Sequence, residues 1–284
     1  MWDSLSNLDR RWIFLAMFLA VALPILFQKT FPEQATPIVQ KVFDKVEELP
    51  EGSNILLAFD YDPGSAGELD PMATAWVRHC CEKKHKLYFL TLWPLGPRLI
   101  EDKISKVIQE EYPELKYGRD YVNLGFKSGG EGVITVIVTN LKKYYTADHH
   151  GTSLDVIPMT RNLKNIQQME LILAVSAGTP GTKEWIQYAA TPYKIPTASG
   201  CTGVQAPLYY PYYPNQMLGL LGAIKGAAEY EAVLAKKYPK FDSPKMHEGL
   251  RRMSPQLVAH LLMVGLIILG NVVFFVQRQR KAGP

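Results

Sequence analysis

Residues 257–276, LVAHLLMVGLIILGNVVFFV, run for twenty positions without a formal charge. In lipid such a run has one regular solution, an α-helix whose backbone groups satisfy one another. At about 1.5 Å per residue it reaches roughly 30 Å, the thickness of a bilayer's hydrocarbon core. A second, shorter apolar run occupies residues 12–27. The expectation is therefore two transmembrane helices flanking a soluble-looking middle. Residues 1–31 form a tip and first anchor, 32–250 a globular domain with an amphipathic lead-in helix, and 251–284 a second anchor with a basic tail.

Arg10 and Arg11 precede the first run as they would in a signal sequence. The run exceeds an ordinary signal core, and no small-x-small cleavage site follows before Gln28 and Lys29. It reads as an uncleaved signal anchor, with cleavage the competing reading. Trp12 and Lys29 suit its two interfaces. Arg10, Arg11, Arg278, Arg280 and Lys281 favour both tips inside and the domain outside the cytoplasm, while Lys29, Lys245, Arg251 and Arg252 pull the other way. Three cysteines, Cys80 and Cys81 adjacent, make no disulfide framework, and free thiols suit a cytoplasmic domain better.

The middle alternates apolar runs with helical patterns. TPIVQKVFDKVEEL places Ile38, Val39, Val42, Val46 and Leu49 at helical spacing. NILLAFDYD, KLYFLTLW, DYVNLGF, MELILAVS and KIPTAS read as strands. Helices are expected over 67–84, 98–112, about 159–168 and 182–190, and over 130–145, where β-branched propensity alone reads strand. Such alternation predicts an α/β fold, a Rossmann-like and mainly parallel sheet with helices on both faces. Residues 201–214, CTGVQAPLYYPYYP, look irregular, and 215–238 look like one helix capped by Asn215.

Ligands of such sheets lie beyond the carboxyl ends of the strands. That rule selects Asp60, Asp62 and Gly64, then Trp93, then Lys127 to Gly130, then Ser176 to Gly181, then Ser199 to Gly203. ILLAFDYDPGS resembles the first motif of haloacid dehalogenase-type phosphotransferases, in which the first aspartate is the nucleophile and the second an acid and base. Gly64 or Ser65 replaces a usual threonine or valine, and SAGTPG stands where the family has a magnesium-binding acidic pair. The preferred reading is that Asp60 and Asp62 shape the turn. Ser176, Gly178 and Gly181, like Lys127, Gly129 and Gly130, offer backbone N–H groups to an anion, although glycines also serve tight turns. SGCTG makes Cys201 a candidate nucleophile with His149 or His150 as base. The spacing of His79, Cys80, Cys81 and His85 does not suit a metal ion, and no cofactor motif is present.

The net charge of +4 contains no block of like charges, which gives nucleic-acid binding no support. Tyr209, Tyr210, Tyr212 and Tyr213, the small-residue stripe Gly219, Gly222 and Gly226, and His260 with Asn271 on one face of the second anchor are candidate contact surfaces. The leading expectation is a non-enzymatic, membrane-anchored binding or assembly protein that contacts the bilayer and other membrane subunits or itself. The alternatives are a membrane-bound hydrolase or transferase acting at the strand-end rim, or a sensor of a small anion. No family resemblance is close enough to transfer site residues.

Overall fold

The structure, a computed structural model, describes residues 9–28 and 30–282. The expected interfacial Lys29 and most of the N-terminal tip lie outside the described residues. The chain divides into two units, Glu33–Gly249 and the pair Met1–Pro32 with Leu250–Pro284.

The larger unit is built on six parallel strands: β1 (Asn54–Asp60), β2 (Lys86–Thr91), β3 (Tyr121–Phe126), β4 (Leu171–Ser176), β5 (Thr197–Cys201) and β6 (Gly219–Gly222). Their order is β3-β2-β1-β4-β5-β6, that of doubly wound nucleotide-binding sheets. Strands covered on both faces must be apolar on both, and ILLAFD, from Ile55 to Asp60, is buried throughout. The helices are α2 (Pro37–Glu48), α3 (Ala66–Glu82), α4 (Gly96–Lys103, running on as a π-helical turn Ile104–Gln109), α5 (Glu131–Ile137), α6 (Thr182–Trp185, followed by Ile186–Ala190), α7 (Thr191–Tyr193), α8 (Ala206–Tyr209) and α9 (Ala223–Lys237).

One face of the sheet, with Leu56, Ala58, Leu90, Val122 and Ile172, packs under α5 and the α6 segment through Val133, Ile134, Ile137, Trp185 and Ala189. The other face carries α3, whose Met72 and Trp76 lie directly on Gly200 of β5. Helices α9 and α2 complete that layer, α9 against α3 and α2 against β6. Where α2, α3 and α9 meet, His79 bonds Tyr230 Oη through Nδ1 (2.7 Å) and Glu47 through Nε2 (2.9 Å), and Phe43 stacks on its ring.

Three expectations need correction. Residues 215–238 are not one helix: the first part is β6, so Gly219 and Gly222 lie in a strand. A side chain at Gly219 would overlap Ile38 O and Val42, and one at Gly226 would meet the Leu221 backbone at 2.6 Å. The stripe of small residues thus admits this domain's own α2 and β6. Residues 159–168 are turns ending in a 3-10 turn, Ile166–Gln168, because Thr160 Oγ1 bonds Leu154 O and Asn165 forms a capping box with Gln168. The supposedly irregular 201–214 contains α8 and a 3-10 turn, Tyr210–Tyr212.

In the second unit, α1 (Arg10–Leu26) has 17 residues and α10 (Glu248–Ala282) has 35. Among the described residues only α10 is long and apolar enough to cross a membrane, where two such helices were expected. His260 on α10 is exposed, and Asn271 donates to Ile267 O one turn back (2.8 Å), satisfying its amide within its own helix.

Candidate functional site at the strand ends

Parallel strands bring their carboxyl ends to one edge, and β1 is the switch point, paired with β2 on one side and β4 on the other. Asp60 closes β1 and is wholly buried. One of its oxygens accepts from Leu92 N–H, just past β2, and the other from Trp185 Nε1 on α6, both at 2.7 Å. Burial pushes its carboxyl up to about 7; Glu184 adds to the rise, and the two N–H donors oppose it.

Beside it a chain of hydroxyls crosses the ends of β4 and β5. Ser176 Oγ bonds Thr182 Oγ1 (2.7 Å), and Thr182 Oγ1 bonds Ser199 Oγ. Gly181 N–H donates to Glu184, and a Cβ at Gly181 would meet Ser176 Cβ at 2.6 Å, so this turn requires glycine for close approach. Trp93 reaches from the end of β2 to the turn after β4: its Nε1 donates to Pro180 O (2.7 Å) and its ring lies against Gly178. Lys127 Nζ stands 5.5 Å from the centroid of the Tyr145 ring, and the wholly buried Tyr145 hydroxyl has no hydrogen-bond partner among the described residues.

The structure therefore brings Asp60, Trp93, Lys127, Ser176, Gly178 and Gly181 to one rim. Asp62 instead accepts from Ser65 N–H (3.0 Å) and shapes its turn. Gly129 and Gly130 both have positive φ, +133° and +56°, which turn the chain into α5. Cys201 is buried among Ile186, Ala206, Tyr209 and Met217, and burial pushes its thiol up to about 12. His149 packs on Gly125 of β3 and its N–H donates to Asn123 O. Four interstrand steps separate β3 from β5, about 19 Å, so the expected pairing of Cys201 with His149 or His150 is corrected: the fold keeps them apart. His150 lies against Tyr117 and 3.8 Å from Glu101. Among the described residues no three His, Cys, Asp or Glu side chains converge as metal ligands.

Of the contact candidates, Tyr209 is buried, Tyr212 and Tyr213 pack on the domain with Lys41 over the Tyr213 ring, and Tyr210 is exposed. Sequence reading missed Trp185, Thr182, Glu184 and Tyr145. A tryptophan close behind the Gly181 turn was the available signal, because a buried indole N–H needs an acceptor. No protein-family model matches the chain, and no curated protein matches it.

Proposed function

We propose that this chain is a membrane-anchored α/β binding or assembly protein, a structural or accessory subunit of a larger membrane complex. The observation that carries the reading is α10. Its apolar stretch leaves Leu261, Ile267, Ile268, Phe274 and Phe275 exposed, each by more than half, a surface that water penalises and lipid accepts. Arg278 and the basic tail that follows the apolar stretch of α10 hold that tip in the cytoplasm with the domain outside. Tyr210 is the exposed aromatic contact for a partner subunit.

Alkaline extraction of membranes from expressing cells should leave the full-length protein in the pellet. Release into the supernatant would sink the anchoring. Protease added to intact cells should cut the domain; protection until permeabilisation would place it in the cytoplasm. In mild detergent the protein should run larger than a monomer, and a lone monomer would overturn assembly.

A second reading, a sensor of a small anion or an enzyme acting at the strand-end rim, is favoured by one feature, the polar groups gathered around the switch point.

A further inference from the structure

The rim holds two groups that the rest of the fold does not use. Burying a hydroxyl without a partner is costly, and among the described residues Tyr145 Oη is such a group. The phenol sits within electrostatic reach of Asp60, but both Asp60 oxygens already accept, from Leu92 and from Trp185. Lys127 is half-buried, its ammonium lies over the Tyr145 ring, and among the described residues it is in no ion pair. Here, then, are one O–H donor and one cation, with no acceptor for either. Lys127 follows the end of β3, and the Tyr145 phenol lies within reach of Asp60 at the end of β1, so both belong to the strand-end edge where sheets of this order take their ligands.

We propose that the strand-end rim, where Lys127 lies over the Tyr145 ring, binds a small oxyanion, a carboxylate or a phosphate, held by the Lys127 ammonium and the Tyr145 hydroxyl. A ligand oxygen supplies the acceptor that both groups lack, and its charge complements the lysine. The proposal rests on the sensor form of the second reading and is independent of membrane anchoring.

The test is thermal unfolding of the full-length protein in detergent, with inorganic phosphate and with acetate, against chloride of equal ionic strength. One of the two anions should raise the midpoint, which identifies the class. Lys127→Gln and Tyr145→Phe should each weaken that anion at least tenfold. Without anion, Tyr145→Phe should unfold at the same temperature or higher, because it deletes an unpaired hydroxyl. A lower midpoint would assign that hydroxyl a structural bond and count against the site. An anion shift unchanged in both variants would overturn this site while leaving an anion sensor standing elsewhere. No shift with either anion would overturn the site and the sensor together.

Discussion

Asp60 ties three segments with one carboxyl: its own strand, the turn after β2, and α6. Its proton affinity makes that tie dependent on pH. In the unfolded chain an aspartate titrates near 3.8, and in the fold Asp60 is pushed up to about 7. The folded state therefore holds the proton more tightly. The associated stability is complete below the unfolded value and is lost as pH rises through about 7, a change on the order of 4 kcal/mol. His79 works in the opposite direction. Burial pushes it down to about 4, so its contribution is present above 6.5 and lost as pH falls through about 4. Because Glu47 only accepts, His79 donates through Nε2 and accepts the Tyr230 O–H at Nδ1. Comparing Asp60→Asn with the wild type cancels the histidine. The variant should lose most of the wild type's decline in unfolding midpoint between pH 5 and pH 8, and at pH 5 it should be less stable by about 1–3 kcal/mol, since an amide cannot accept at both positions. An equal decline in both proteins would remove Asp60 as the titrating group.

Among the elements, β6 is the one that sequence reading mistook. β1 through β4 are legible because each is a short, largely apolar run bounded by turn residues and charge, whereas β5, TASGC, overlaps the expected KIPTAS only from Thr197 to Ser199. The four residues of β6, GLLG, stand before a genuine helix and share its small residues. Only pairing with β5 makes them a strand, and that partner is invisible locally. The site divides in the same way. Its place at the strand ends follows from the alternation of elements, whereas the bond from Asp60 to Trp185 joins residues 125 positions apart. Glycine's role also differs between elements. Gly219→Ala would drive a methyl into α2 and should destabilise by about 1–3 kcal/mol. Gly132→Ala, on α5 with nothing near its added carbon, should stabilise by about 0.5–1 kcal/mol through helix propensity. Denaturant midpoints of the pair would check both signs, and an unaffected Gly219→Ala would contradict the tight seating of α2 on β6.

At the scale of the molecule, α9 fastens both places where the chain enters and leaves the larger unit. Glu229, buried, accepts from Thr36 N–H (2.8 Å) and Thr36 Oγ1 (2.6 Å) at the head of α2, and from Lys225 (2.7 Å). Glu231 accepts from Gly249 N–H (2.9 Å) as α10 begins. Glu229→Ala should cost about 1–3 kcal/mol by removing its charge-assisted bonds to Thr36 and Lys225. Glu51→Ala, which removes an exposed pairing with Lys84, should change stability by less than about 1 kcal/mol. Equal effects in equilibrium unfolding would argue that Glu229 is not a clasp. Because the two clasps sit two residues apart on one helix, a mechanical load applied between the chain's terminal segments passes through a single turn of α9. Neither clasp involves a strand end, so pulling on the points where the chain enters and leaves the larger unit would load the clasps before the rim.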